Sequence, residues 1–407
     1  VKKFLILGLL FIVGFSGCAP SGGGNKSDDD ESNAEPYSSE DFPVCKREVP
    51  EPLAKPDLSV PTVVLWRDDL TITVNDVPFF PMGAYSIPLD EEVMSQMEEA
   101  GMNSGVVGGG IDYLEMAREH GILFGIHLPF SSGDIYTRPA SELEALLAER
   151  AQYGSLFFWY TFDEPDLWNV DYQLAQDVYL FLQEHEPNHP AALVEAPLLE
   201  FGDYVDYCDI FMVDPYPVPM MPIEYTSFVI EKAKEFTGDD KPLIGVAQAF
   251  DWSYDFGEIP DTEHFRPTVE EMRNMTYQML ALDVQGIIYY EASRLIANHQ
   301  PIWQGLLGIV SEVDMLRPVL IDGEDLKLSN VPDFIRARLV KYKDWLFLFV
   351  INMGWQRIKI DLALPDDVKV APCAVEFFEG YNRKVKDNRL SDEIPSLEVR
   401  VYQMFLR

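Results

Sequence analysis

The sequence predicts an α/β protein, a (β/α)8 barrel followed by a small C-terminal antiparallel β-sandwich domain, and three observations carry that expectation. From Phe79 onward, eight short apolar runs alternate with eight helical segments over about 240 residues, the size and rhythm of such a barrel. No Gly-rich dinucleotide fingerprint follows the first run, which argues against a doubly wound sheet. Past about Leu320 the hydrophobic period changes from helical to alternating, as a half-buried antiparallel sheet requires.

Taken in order, residues 1–18 join a two-lysine start to an apolar stretch that is short for a bilayer span, and read as a secretion signal. The ending Phe15-Ser16-Gly17-Cys18 resembles a bacterial lipobox, which implies a lipidated Cys18 and a membrane contact made only through that anchor. Residues 19–55 are polar, acidic and rich in Gly and Ser; they cannot bury a core and read as a disordered tether. The barrel with an N-terminal β-hairpin is expected over 56–321 and the β domain over 322–407.

Val63–Trp66 and Leu70–Val74 read as short strands of that hairpin. Barrel strands are expected at the run ending in Tyr85 and at Met102–Val107, Ile122–Leu128, Leu156–Phe162, Ala191–Val194, Asp209–Val213, Pro242–Ala247 and Gly286–Tyr290. Gly101 and Gly121 stop the first two helices, and Ser141…Glu144 and Thr268…Glu271 read as capping boxes opening two later ones. In the C-terminal part, Ile335, Ala337 and Leu339, then Leu346, Leu348 and Val350, then Ile358, Ile360 and Leu362 keep the period of two.

With 47% hydrophobic residues, a chain of 407 has ample material for a large core and more than one domain. Against 31 Lys and Arg stand 68 Asp and Glu, a net charge of −37, which repels nucleic acid and anionic headgroups. Four scattered cysteines do not make a disulfide scaffold; Cys208 and Cys373 read as buried free thiols, and Cys45 as free in the leader.

In a barrel of this kind the chemistry lies where the strands run out, at their carboxyl ends. Those ends carry Tyr85, Gly108, His127, Asp163 with Glu164, Glu195, Asp214 with Tyr216, Gln248, and Tyr290 with Glu291. Carboxylates stand at four of the eight exits, among Trp159, Trp168, Trp252 and Tyr289, and aromatic faces beside acids suit sugar rings. An acid at a strand end also serves as a simple helix cap, and Pro165 after Glu164 fits a first helical turn.

The opening VPFFPMGAY, the fourth-strand ending FDEP, the sixth-strand DPYP and the eighth-strand GIIYYE, with the appended β domain, resemble the glycoside hydrolase superfamily of retaining β/α-barrel enzymes. That resemblance implies a general acid/base at Glu164, with Asp163 where the superfamily usually has Asn. It also implies a nucleophilic Glu at the end of strand seven, where this chain has Gln248, and an amide can neither form a glycosyl ester nor accept a proton as a base. Glu291, Asp214 and Glu195 are the substitute carboxylates. Tyr85, His127, Trp159, Asp163, Tyr216, Gln248, Trp252 and Tyr290 are the candidate sugar contacts. No cofactor is implied.

His185-Glu186-Pro187-Asn188-His189 satisfies the H-E-x-x-H pattern of zinc proteases, yet Pro187 breaks the helix that pattern needs and the motif falls at the wrong end of the barrel. No metal site stands out. The expectation is a lipid-anchored envelope protein acting on an oligo- or polysaccharide; its rival is a non-catalytic glycan-binding lipoprotein that kept the barrel without the strand-seven nucleophile.

Overall fold

A computed structural model describes residues 45–197, 202–252 and 265–407. Its first strands, β1 (Val64–Trp66), β2 (Ile72–Val74) and β3 (Val77–Pro78), form a small antiparallel sheet. Val64, Ile72 and Val74 share one apolar cluster with the barrel interior, and the ring of Phe79 meets that of Phe157 edge-on, so this sheet plugs the amino-terminal end of the barrel.

The barrel is closed by eight parallel strands: β4 (Met82–Tyr85), β5 (Ser104–Val107), β6 (Leu123–His127), β7 (Leu156–Asp163), β8 (Ala191–Glu195), β9 (Ile210–Val213), β10 (Leu243–Gln248) and β11 (Gly286–Tyr290). All eight stand where the sequence places them, and β11 pairs with β4 to complete the ring. Inside, side chains at every second position fill the bore. Gly125 is one such position: a Cβ there would stand 2.0 Å from the Phe158 ring, so the glycine is the space that Phe158 fills.

Helix ends follow local chemistry. Asp90 accepts from the backbone N–H groups of Glu92 and Val93, and Gly101 closes the same helix in the left-handed region at φ 81°. The Thr268…Glu271 capping box forms as expected. The one expected at Ser141 does not: that helix spans Ala140–Ala151, so Ser141 already lies inside it, and Pro139 occupies the cap without a side-chain bond.

The C-terminal domain is a curled eight-stranded antiparallel sheet running from β12 (Glu324–Leu326) to β19 (Val399–Phe405). Its two ends close over one core, with Leu339, Leu348 and Val350 against Ile360, Leu362 and Leu390. It docks on the helix Val269–Ala281, where Asn274 donates to the carbonyls of Asn352 and Leu397 and Arg273 to that of Val399.

Two cysteine expectations are overturned. Cys45 and Cys373 form a disulfide, because the chain around Cys45 lies against the sheet instead of in a free leader. Arg47 donates to Phe377 O, and Glu48 exchanges bonds with the Gln403 side chain, so the fastened part begins at residues expected to be tether. Cys208 is a buried free thiol, as expected. Cys18 lies outside the described residues.

Candidate active site

Strand β7 builds the centre of the site. Its pairing with β8 shifts register between Tyr160 and Phe162, an irregularity that lets both Tyr160 and Asp163 turn to the barrel mouth. There the Tyr160 hydroxyl donates to Asp163 Oδ1 at 2.6 Å and faces the Tyr85 hydroxyl at 3.3 Å. Glu164 then takes the cap position of the short helix Pro165–Trp168 in the left-handed region, at φ 45°, where a non-glycine residue is strained. Its side chain makes no capping bond, so the simple cap reading fails and the carboxyl is left for the mouth.

There it meets Asp214, just past β9. Burial, and then the neighbouring Asp163 charge, push the Glu164 carboxyl up to about 7, while contact with Asp214 pulls partly the other way. Asp214 is 5% exposed, and burial followed by the charge of Glu164 raises it well above the usual carboxylate range. Two buried carboxyls in contact cannot both ionise at neutral pH, so the pair retains a proton. Asp214 Oδ1 is buried and has no hydrogen-bond partner among the described residues.

An aromatic wall surrounds the pair. The Tyr216 ring lies 6.1 Å from that of Tyr290, 5.0 Å from Phe250 and 6.4 Å from Trp252, while Tyr85 lies 5.6 Å from Tyr290 and 5.8 Å from Tyr160. His127 packs edge-on against Tyr160 at 5.0 Å. Phe250 was missing from the sequence-derived set, although its position two residues beyond Gln248 keeps the phase of β10 and signals a mouth residue. Trp168 stands 63% exposed directly behind Glu164.

Four expected residues do not belong to this mouth. Glu195 is out of phase with Ala192 and Val194, which point into the bore; it faces the outer layer, where Oε2 accepts from Gly202 N at 2.5 Å and Oε1 from Tyr204 N at 2.7 Å. Both oxygens brace a loop. Trp159 is likewise out of phase with Phe158 and Tyr160, fully buried in the outer core, and donates to Glu186 Oε2 at 2.6 Å. Glu291 follows Tyr290 across a cis peptide bond, past the end of β11, and its carboxyl is engaged locally: Oε2 accepts from Ser293 Oγ, and Oε1 lies 2.8 Å from Arg294 Nε without the alignment of a hydrogen bond. Gln248 is fully buried, its Oε1 accepting from Val218 N at 2.9 Å and its Nε2 donating to Val218 O at 2.6 Å. Its amide clamps the loop after β9, and full burial keeps the rest of its hydrogen-bonding capacity away from the open mouth. Tyr289, out of phase with Tyr290, bonds Thr276 on a helix.

The H-E-x-x-H residues make a structural network. Glu186 joins the Trp159 indole to His189 Nδ1, His189 Nε2 meets Thr62 Oγ1 at 3.0 Å, and His185 pairs with Glu144 instead. Among the described residues no group of three or more His, Cys, Asp or Glu side chains is arranged to hold a metal ion. An open cleft of about 430 Å³ lies at the domain seam, lined by residues away from the strand ends; its Arg338 is fully engaged with Asp283, Asp325 and Leu280 O.

No protein-family model matches the chain, and no curated protein matches it in sequence. Solved structures do match in fold. A GH27 β-L-arabinopyranosidase from Geobacillus stearothermophilus, solved with arabinose, aligns at TM-score 0.57 and 12% identity over 80% of this chain and 97% of that one. A putative α-galactosidase/melibiase from Bacteroides fragilis aligns at 0.53 and 12% over 80% and 78%. A GH30 endoxylanase from Clostridium papyrosolvens aligns at 0.51 and 13% over 80% and 96%. At such identities the likeness is one of fold: the chain has the barrel architecture of these glycoside hydrolases.

Proposed function

We propose that this protein is a glycoside hydrolase acting on an oligo- or polysaccharide at the bacterial cell envelope, with Glu164 as the proton donor to the departing glycosidic oxygen. The observation that carries this reading is the Glu164 carboxyl itself: at the end of the fourth barrel strand, unused as a cap, and held up to about 7. An acid near that value is largely protonated on approach to neutral pH and regains its proton readily after turnover. The ring faces of Tyr216, Tyr290 and Trp252, with the open Trp168, supply stacking surface for a sugar.

Asp214 contacts Glu164 too closely to be the second carboxylate of a glycosidase, since those pairs stand roughly 5–5.5 Å apart in retaining enzymes and roughly 6.5–9.5 Å apart in inverting ones. Its part is to share and hold the proton. Export with a lipid anchor at Cys18 belongs to the same proposal, and the Cys45–Cys373 disulfide fits an oxidising compartment. The second reading, glycan binding without turnover, is favoured by one observation: the strand-seven position holds Gln248, an amide clamped to Val218, where a nucleophile would need a carboxylate.

A glycan screen recording binding and product release together, with Glu164→Gln in parallel, separates the two. Turnover abolished by the substitution establishes the hydrolase. Binding by both proteins with no product from either establishes the binding protein.

A further inference from the structure

Exposed apolar side chains continue from the barrel mouth onto the C-terminal domain. The loop after β9 carries Met220 and Met221, both exposed. It is fastened at Val218, which Gln248 clamps and whose carbonyl accepts from Trp252 Nε1 at 2.9 Å. The helix Tyr225–Thr237 follows, and because it leaves the carboxyl end of a barrel strand its first turn lies on the mouth side. In that turn the rings of Tyr225 and Phe228 lie 6.2 Å apart and within 25° of parallel, with Phe228 exposed.

Two contacts join this turn to the C-terminal domain. Ser227 Oγ meets Met353 Sδ at 3.4 Å, and Glu231 pairs with Arg336 Nη1 at 2.7 Å. Beside those partners stand Phe334 and Trp355, 55% and 65% exposed. They are neighbours: Met353 N donates to Phe334 O at 2.8 Å, and a Cβ on Gly354 would stand 3.4 Å from that of Phe334. The buried Asn352 side chain ties down both residues flanking Trp355, accepting from Gly354 N at 2.9 Å and donating to Gln356 O at 2.7 Å. Phe334 occupies the left-handed region at φ 60°, a costly conformation for a bulky residue and one that concentrates at binding sites. The two rings are therefore displayed by a fixed backbone.

We infer, on the reading that the mouth takes a carbohydrate, that the ligand is a neutral polysaccharide whose chain leaves the mouth over Met221 and Phe228 and stacks on Phe334 and Trp355. The C-terminal domain is then part of the binding site, and long chains are held better than short ones. Charge and patterning favour this occupant. A net charge of −37 opposes an anionic lipid surface or an acidic polymer. A membrane or protein partner calls for a continuous apolar patch, whereas here the Glu231–Arg336 pair is set among the rings and Gln356 and Arg357 stand exposed beside Trp355. Ring faces interleaved with polar groups suit sugars, whose C–H faces stack while their hydroxyls find partners.

The test runs the full chain through native gels containing arabinoxylan, glucomannan, hydroxyethylcellulose or amylose, kept cold so that turnover is slow, with polygalacturonate as the acidic comparison. The expected result is that a neutral polymer retards the protein, and that Trp355→Ala and Phe228→Ala each weaken its binding roughly 5- to 30-fold, as loss of an aromatic anchor does. The ratio of affinities for that polymer and for its disaccharide falls with either substitution. Leu180→Ala removes an exposed apolar side chain from a different helix and should leave retardation as it was. Equal retardation of the natural protein and Trp355→Ala overturns the inference, as does stronger binding to polygalacturonate. Trp355-dependent association with phosphatidylethanolamine–phosphatidylglycerol vesicles, or a dimer that Trp355→Ala dissolves, assigns the surface to another partner and overturns it too. If a short glycoside is cleaved by the natural protein while none of the four neutral polymers retards it, this inference falls alone. If no glycan of any length is bound or cleaved, the reading of the mouth falls with it.

Discussion

Glu164 and Asp214 meet carboxyl to carboxyl at the barrel mouth, delivered by strands that flank β8. The pairing fixes how activity depends on pH. Glu164 works as an acid only while protonated, and its carboxyl is pushed up to about 7, so kcat/KM is expected to fall as pH rises through that value. Asp163 contributes to the rise by charge repulsion, so Asp163→Asn shifts the alkaline limb to lower pH in whatever activity remains. A pH–rate profile of the two proteins checks both; an unmoved limb would remove Asp163 from the account.

The same shift acts on stability. The ordinary Glu value is 4.5, so between about 4.5 and about 7 the unfolded chain loses a proton that the folded chain keeps. Folding therefore loses stability as pH rises through that window, by on the order of 2–3 kcal/mol once above it. Glu164→Gln removes the ionisation and is expected to be more stable than the natural protein at pH 8 by about 1–3 kcal/mol, the gain vanishing near pH 4. Urea titrations at the two pH values measure it; equal stability at pH 8 would mean that the carboxyl is not held up by its surroundings.

How much of this was legible in the sequence depends on the kind of signal. The eight strands were legible because each is a short apolar run punctuated by glycine, proline or a cap, and the alternation with helices excludes most other folds. Asp163, Glu164 and Asp214 were legible as acids at strand exits. Glu195 and Trp159 were misassigned because position at an exit was weighed without strand phase: counting twos from Ala192 and Phe158 turns both away from the bore. Glu291, which follows a cis peptide bond, was misassigned for another reason: it is held by Ser293 and Arg294, contacts that no strand pattern reveals. Gln248 is different, since it keeps the inward phase and its partner is the backbone of Val218, which no side-chain pattern reveals. The Cys45–Cys373 bond joins residues 328 apart, and spacing carries no information at that range.

Trp159 tests the phase argument. Its indole N–H holds the buried Glu186 carboxylate, whose other partner is His189. Trp159→Phe keeps the ring and removes the donor, which is expected to cost about 1–3 kcal/mol in unfolding free energy. Glycan affinity and kcat should not change. A rise in KM without loss of stability would return Trp159 to the sugar site.

The disulfide closes a loop of almost the whole folded chain. Cross-linking so long a loop restricts the unfolded ensemble and is expected to contribute about 3–5 kcal/mol. Cys45→Ser should lower Tm and free the segment holding Arg47 and Glu48, which limited proteolysis near Lys46 would detect. The natural protein should show the same Tm as the variant after reduction with dithiothreitol. A variant that melts with the oxidised protein would show that the strap adds nothing.

Gln248→Glu separates a missing nucleophile from a structural clamp. If the barrel lacked only a strand-seven carboxylate, restoring one would create or raise turnover. The geometry predicts the opposite. An ionised carboxylate at this fully buried position still accepts from Val218 N, but it cannot donate to Val218 O, which is left facing a negative charge at the present 2.6 Å. The expected cost is about 2–4 kcal/mol at pH 8, with no gain in hydrolysis. Acid should reverse much of that loss, because a protonated carboxyl regains a donor for Val218 O and burial favours the neutral form. Denaturation at pH 5 and pH 8 with a glycan assay at each checks the sequence of events: stability recovering as pH falls, without activity, identifies a clamp, whereas activity appearing at full stability would identify a lost catalytic group.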